Sequence, residues 1–248
     1  MEENKLDNKF DTLCISGGGV KGFYILGAIQ AAIDAGILGN VTKYVGTSIG
    51  SIISYLLAIS YTPIEILVSF YSHKWLDKMK YYDIVAGING NGIMCFTHIH
   101  EALEKLTIEK IGKLITLKML KELYGKTLVC VTYNMTTCMT EYLGPDNYPD
   151  LPCITALRMS ANVPLVFERF KYMGSFYVDG GITDNFPILK ADEIGHRVLG
   201  LCLEIPEESF QDNPEDGVAM YVIKLLQIPM IHTVRSALLN SSMTPLCC

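Results

Sequence analysis

The sequence predicts an α/β fold, a three-layer α/β/α sandwich around a central, mostly parallel β-sheet. Short apolar runs of strand-like composition alternate along the chain with segments whose apolar residues recur at helical spacing. Two of the strand-to-helix junctions are rich in glycine, as tight turns at the edge of a parallel sheet are. No repeat and no Pro/Gly/Ser-rich linker divides the 248 residues. We therefore predict one domain, with a core over about 11–204 and a helical segment over about 215–240.

The first half of the predicted sheet is the clearest part of the pattern. A strand over Thr12–Ser16 runs into a glycine run and a helix over about 21–35, which Gly36 ends. A second strand, Lys43–Gly46, leads into a helix that begins at Ile49. The apolar residues of that helix recur at i, i+3, i+4, i+7 and i+8, which predicts one buried face.

The rest of the chain continues the alternation after an irregular region over 76–96, which we predict to be a loop or a cap. Thr116 is the expected N-cap of a helix that ends before Gly125, and Pro229 should kink or interrupt the last helix. The predicted helices lie over about 97–106, 116–124, 153–160 and 219–239, and the predicted strands over 128–133, 139–143, 165–170, 175–178 and 197–203.

Composition excludes several classes of function. Half of the residues are hydrophobic and the net charge is −6, so the chain lacks the basic surface of a nucleic-acid binder. The longest uncharged stretch, Tyr44–Ile64, is interrupted by serines and is predicted to be a strand plus a buried helix, not a membrane span. The first residues lack the parts of a signal peptide, which predicts a cytoplasmic protein with free thiols.

The first glycine run, Gly17–Gly22, satisfies G-x-G-x-x-G between a strand and a helix. Glycines in such a loop expose backbone N–H groups to an anion, either a phosphate or a transient oxyanion. A dinucleotide site also needs an acidic residue at the end of the second strand, where this chain has Gly46-Thr47-Ser48. A dinucleotide-binding protein therefore stays open as an alternative, without its expected ribose ligand.

The second run, Gly46–Gly50, is a G-x-S-x-G pentapeptide between a strand and an amphipathic helix. A sharp strand-to-helix turn presents the central side chain, Ser48, at the carboxyl edge of the sheet. The flanking glycines avoid collisions in that turn, and the helix N-terminus favours negative charge beside the hydroxyl. This context predicts a nucleophilic serine, with a plain N-cap as the structural alternative.

The third constellation begins with Asp179-Gly180-Gly181 after a strand. By itself it is an ordinary turn, but a serine nucleophile needs a partner that removes its proton. Asp179 is one candidate base. A Ser–Asp–His triad with His196 or His232 is formally possible, although the elbow here follows a single strand.

In this order the three constellations resemble the patatin-like phospholipase family, over about Leu13 to Leu203. The resemblance includes two further blocks. The segment Ile115–Lys126 is similar to the one before that family's middle strand, and Met159–Phe167 is similar to its Ser-Ala-x-x-Pro-x-x-Phe block.

The resemblance implies a Ser–Asp dyad, with Ser48 as nucleophile and Asp179 as general base. It also implies that the backbone N–H groups of Gly17, Gly18 and Gly19 form an oxyanion hole. Other residues of the same motifs would support the site: Lys21, Gly22, Gly46, Gly50, Gly180 and Gly181.

The function implied is hydrolysis of carboxylic esters of phospholipids or related acyl lipids through an acyl-enzyme. No cofactor is expected, and no spaced His/Cys/Asp cluster suggests a metal. Contact with a membrane surface is expected from the substrate. Two departures from the family pattern stand out: Lys21 occupies the place of its usual Arg, and Asn162 is a milder difference. A catalytically silent scaffold is the remaining alternative.

Overall fold

The computed structural model describes residues 9–72, 95–203 and 218–240. In these ranges a mixed sheet is flanked by helices. The strands are β1 (Thr12–Ile15), β2 (Lys43–Thr47), β3 (Thr127–Asn134), β4 (Met139–Leu143), β5 (Phe170–Tyr172), β6 (Ser175–Asp179) and β7 (Val198–Leu201). The α-helices are α1 (Gly22–Asp34), α2 (Ile49–Ala58), α3 (Pro63–Ser72), α4 (Thr97–Ile111), α5 (Leu117–Tyr124), α6 (Cys153–Ser160), α7 (Ile188–Ile194) and α8 (Val218–Asn240).

The predicted α/β class is confirmed, and the sheet is parallel in its middle. Its strand order is β5-β6-β3-β2-β1-β7, with β4 also paired to β3. Strands β7, β1, β2 and β3 run parallel. Strands β4 and β6 pair antiparallel with β3, and β5 pairs antiparallel with β6.

Each face of the sheet carries its own hydrophobic cluster, because successive side chains of a strand point to opposite faces. In β1, Leu13 and Ile15 belong to the larger cluster, which includes side chains of α1 to α6. Cys14 between them belongs to a smaller cluster with residues of α7 and α8. Helices therefore cover both faces of the sheet, as in a three-layer sandwich.

The topology brings the ends of β2 and β6 together. Strand β4 pairs with one edge of β3 and overlaps both the stretch of β3 that pairs with β2 and the stretch that pairs with β6. Strands β2 and β6 therefore both pair with the other edge of β3, one after the other. On that edge Thr47 of β2 is paired with Val131, and Asp179 of β6 is paired with the next residue, Thr132. Because β6 runs opposite to β2, the carboxyl ends of both strands meet at one point in the sheet.

Two elements differ from the sequence-based expectation. Helix α3 was not predicted, although Thr62 and Glu65 form a capping box in which the Glu65 carboxylate accepts the Thr62 N–H at 2.7 Å. The predicted strand over 165–170 is wrong. Leu165 lies in a turn with a φ of +67°, and only Phe170 belongs to a strand, β5.

Other boundaries were predicted more closely. The Thr116 hydroxyl caps α5 by accepting the Met119 N–H at 3.2 Å, and Gly125 follows the helix with a positive φ, as predicted. Helix α4 continues past the predicted end to Ile111, and α8 runs through Pro229 as one helix. Nearly all of the predicted loop or cap over 76–96 lies outside the described residues. None of the helices in the described part of the chain is both long and apolar enough to cross a bilayer.

Candidate active site

Ser48 occupies a strained turn between β2 and α2. Its backbone has φ 57° and ψ −126°, a conformation that residues other than glycine rarely adopt. The turn fits only because its neighbours lack side chains. A Cβ on Gly46 would lie 2.6 Å from the carbonyl carbon of Gly50, and one on Gly50 would collide with the carbonyl oxygen of Ile15. The G-x-S-x-G spacing is therefore a steric requirement of this turn.

We expect Gly50→Ala to destabilise the protein by about 3 kcal/mol, because the obstructing atoms belong to the backbone of β1 and the next residue and cannot rotate away. For a chain of this size, thermal unfolding should then shift down by about 6–12 °C. The matched control is Gly27→Ala in the middle of α1, where an added Cβ meets nothing within 4 Å. That control should be neutral or stabilising, and equal melting of the two variants would contradict the prediction.

Asp179 is a buried carboxylate at the end of β6, with only 1% of its surface exposed. Its Oδ1 accepts the N–H of Gly181 at 2.7 Å. Burial raises the pKa of Asp179 to about 6, and the Ser48 hydroxyl and the Gly181 N–H offset part of that rise. The ordinary value for this carboxyl is 3.8, so Asp179 is a stronger base than a solvent-exposed aspartate.

The second oxygen of Asp179, Oδ2, is buried and completes no hydrogen bond with a described residue. The Ser48 hydroxyl is near enough to this carboxylate to lower the Asp179 pKa. The two side chains therefore lie near each other without a completed hydrogen bond between them, and hydrogen bonds of catalytic groups are often long in the absence of substrate. The structure thus brings together the two residues predicted to form the dyad.

The glycine loop supplies donors beside Ser48, with one change from the expectation. The N–H of Gly17 donates to the carbonyl oxygen of Asn185 at 2.9 Å, so that N–H is already engaged. No described residue accepts a hydrogen bond from the N–H of Gly18 or Gly19, and both residues line the same cavity as Ser48. An oxyanion formed there has two candidate backbone donors, Gly18 and Gly19.

The remaining motif glycines allow close packing around this centre. A Cβ on Gly22 would lie 2.6 Å from Cγ1 of Ile49, so α1 and α2 meet there. Gly180 lies against the carbonyl of Val131, and Gly181 holds the Asp179 carboxylate. Lys21 lines the cavity from an exposed position.

A cavity of about 420 Å³ opens beside Ser48 and the glycine loop. Its walls beyond them are almost entirely apolar, and four phenylalanines contribute to them. The wall residues other than Ser48 and the loop glycines include Phe23, Ile49, Ile52, Phe70, Phe96, Ile99, Val163, Val166, Phe167, Leu203, Leu226 and Met230. A flexible hydrocarbon chain matches such a lining better than a charged group does.

The alternatives from the sequence find less support. None of the four described histidines lines the cavity, and both His196 and His232 are exposed. A dinucleotide site also needs an acidic residue at the end of the second strand, and β2 ends at Thr47. Among the described residues, no three His, Cys, Asp or Glu side chains lie together as the ligands of a metal ion would.

Three residues near Ser48 and Asp179 were given no role by the sequence. Ser160 and Asn162 follow each other closely at the end of α6. Ser160 hydrogen-bonds to the turn at Ser48, and Asn162 to the strand that ends in Asp179. Asn185 lines the cavity beside Gly17. Ser160 and Asn162 fall in the Ser-Ala-x-x-Pro-x-x-Phe block and Asn185 six residues after Asp179, so the motifs pointed to them without indicating what they contact.

A parallel sheet with a serine on a strand-to-helix turn, a buried carboxylate beside it and an apolar cavity defines a class of α/β proteins. Comparison with known families agrees with that class. The model of the patatin-like phospholipases matches residues 13–192, and the chain belongs to this family.

Individual relatives support the assignment over part of their own length. The probable lipid hydrolase 463L of Invertebrate iridescent virus 6 is 34% identical over 182 residues, 72% of this chain and 62% of the viral protein. The uncharacterized protein YqhO of Bacillus subtilis is 30% identical over 207 residues, 76% of this chain and 69% of YqhO. The crystal structure of VipD from Legionella pneumophila has a TM-score of 0.54 at 19% identity, covering 97% of this chain and 57% of VipD, and supports the fold.

Proposed function

We propose that this protein is a serine lipid acyl hydrolase that cleaves carboxylic ester bonds of phospholipids or related acyl lipids. One observation carries the proposal: the strained turn that presents Ser48 to an apolar cavity lies beside the buried Asp179 carboxylate. Strained backbone and a raised carboxylate pKa both lower stability, so their coincidence at one point favours a catalytic role.

The chemistry follows from these positions. Asp179 takes the proton of Ser48 Oγ as this oxygen attacks the ester carbonyl carbon. The carbonyl oxygen becomes an oxyanion and accepts hydrogen bonds from the N–H groups of Gly18 and Gly19. The carbon–oxygen bond to the alcohol breaks, and the alcohol leaves with the proton from Asp179. Water then attacks the acyl-Ser48 ester with Asp179 again as base, which releases the carboxylic acid and restores the serine.

The cavity supports an acyl chain as the part of the substrate that the protein holds. Binding a hydrocarbon there removes apolar surface from water on both partners, at roughly 25 cal/mol per Å². We also propose that the protein works in the cytoplasm and contacts membranes peripherally. Val20, an exposed residue of the cavity wall, and Tyr24, one turn further on, are apolar and accessible for such contact. Flotation with phosphatidylcholine vesicles tests the contact.

The proposed activity can be tested with the purified protein. We expect it to release fatty acid from phosphatidylcholine, to hydrolyse a soluble short-chain p-nitrophenyl ester, and to react with a fluorophosphonate probe. Peptide mapping should find the probe on Ser48. A protein that carries no label on Ser48 and releases no acid from a panel of phospholipids and neutral acyl lipids would contradict the proposal.

A further inference from the structure

The amide nitrogen of the proposed nucleophile is held by a side chain from another part of the chain. The hydroxyl oxygen of Ser160, the last residue of α6, accepts a hydrogen bond from the N–H of Ser48 at 3.0 Å. Both residues are buried. This hydrogen bond joins positions 112 residues apart in the sequence and acts on the residue whose backbone is strained. It therefore fixes the turn in the conformation that presents the hydroxyl of Ser48.

The direction of the neighbouring hydrogen bonds fixes the rotation of the Ser160 hydroxyl. Ser51 donates its only hydroxyl proton to the carbonyl of Gly46 at 2.8 Å. The contact of 2.8 Å between the hydroxyls of Ser51 and Ser160 must then use the proton of Ser160. The lone pairs of Ser160 are left to accept from Ser48. The chain of three bonds closes on Gly46, at the entry to the same turn.

Two residues further on, the same segment holds the proposed base. The carbonyl oxygen of Asn162 accepts the N–H of Asp179 at 2.9 Å. The side chain of Asn162 also donates through Nδ2 to the carbonyl of Tyr177, on the same strand, at 2.8 Å. Asn162 is buried. Two hydrogen bonds thus attach the end of β6 to Asn162, which lies two residues after Ser160.

We infer that Ser160 and Asn162 are positioning residues that set the separation of Ser48 and Asp179. The inference rests on the proposed function. A single short segment, 160–162, holds the backbone of the nucleophile at one end and the strand of the base at the other. We refer to this segment as the bracket.

The geometry of the dyad explains why a bracket matters. Other links between the two residues run through the sheet, in which they stand at the facing ends of two strands that are not paired with each other, and through the hydrogen bond from the Thr47 hydroxyl to the carbonyl oxygen of Asp184 at 2.9 Å. Proton transfer requires the two oxygens within about 3 Å, and a displacement of 1 Å can cost about 10²-fold in rate. A loosened bracket should thus slow the chemical step while the cavity still binds substrate.

The test uses the full chain and a soluble p-nitrophenyl ester, so that kcat and KM are measured separately. We expect Ser160→Ala to lower kcat by about 10–100-fold with KM within about two-fold, and Asn162→Ala to lower kcat by about 3–10-fold. Ser54→Ala is the matched control, because Ser54 is a buried serine of α2 whose hydroxyl has no hydrogen-bond partner among the described residues. It should retain kcat within about two-fold.

The outcomes separate the two proposals. Loss of kcat in Ser160→Ala, but not in Ser54→Ala, with both variants folded by circular dichroism, supports the bracket. Equal kcat in these two variants, or a change confined to KM, overturns it. If Ser160→Ala does not fold, Ser51→Ala and Asn162→Ala decide, and unchanged kcat in both overturns the inference. A wild-type protein that neither labels at Ser48 nor hydrolyses an ester overturns the proposed function itself.

Discussion

Replacing Ser48 by alanine is expected to lower ester hydrolysis by about four orders of magnitude or more, because it removes the atom that forms the acyl-enzyme. The cavity and the donors of Gly18 and Gly19 stay in place, so substrate binding should persist. Initial rates with phosphatidylcholine and with a p-nitrophenyl ester measure the effect. Ser54→Ala, a substitution in the adjoining helix, should remain active in the same assays.

The same position offers a second readout that does not depend on activity. Ser48 has φ 57°, which glycine adopts without the steric cost that a Cβ brings. Ser48→Gly should thus be inactive and more stable than Ser48→Ala, by about 1 kcal/mol. Thermal unfolding of the two variants makes the comparison. Residual hydrolysis in Ser48→Ala above about one hundredth of the wild-type rate would show that another group performs the attack.

The parts of the fold that the sequence predicted are those with strong local signals. Helix α2 has a complete apolar face, and α5 has both its N-cap at Thr116 and its glycine at 125. Helix α3 was missed because its apolar residues are not confined to one face: Ile64, Leu67 and Val68 are exposed. The segment 165–170 was predicted to be a strand because it is apolar in composition. Leu165 has a positive φ and lies in a turn, which a local pattern of apolar residues does not indicate.

In the candidate site, too, the sequence predicted the parts that depend on local signals and missed the contacts between distant segments. Ser48 and Asp179 sit in turns whose glycines are required locally, so motifs locate them. The engagement of the Gly17 N–H with Asn185 and the contact of Ser160 with Ser48 join distant segments. Spacing within a motif carries no information on such contacts, because they depend on which helix packs against which strand end. The sequence therefore located the two residues that we propose to react better than the groups that hold them.

Asp179→Asn is expected to reduce hydrolysis by about three orders of magnitude or more, because an amide does not accept the proton of Ser48. In the wild-type protein the base must be ionised, and burial raises the pKa of Asp179 to about 6. kcat/KM should therefore fall about tenfold per pH unit below pH 6 and reach a plateau above it. A pH–rate profile from pH 4 to 8 measures this limb, and a flat profile would contradict the role of Asp179 as base.

The same raised pKa predicts that the inactive variant is the more stable one at neutral pH. At about pH 5 the folded protein keeps a proton on Asp179 that the unfolded chain, with a pKa near the ordinary 3.8, has released. Between about pH 4 and 6 the unfolded state binds fewer protons, so this residue's contribution to stability falls as the pH rises. Asp179→Asn should gain about 1–3 kcal/mol at pH 7 and almost nothing at pH 4.

Asp11 supplies a control of opposite sign for this linkage. Burial alone would raise its pKa, but hydrogen bonds from the backbone N–H groups of Arg197 and His196 lower it to about 2. Its charged form stabilises the fold above the unfolded pKa, and that contribution is lost as the pH falls through the folded value. Asp11→Asn should therefore lose stability at pH 7. Urea unfolding at pH 4 and pH 7 compares both variants. Asp11→Asn should lose stability at both pH values, because folded Asp11 is still ionised at pH 4. A loss of stability in Asp179→Asn at pH 7 would show that the buried charge is compensated in the native state.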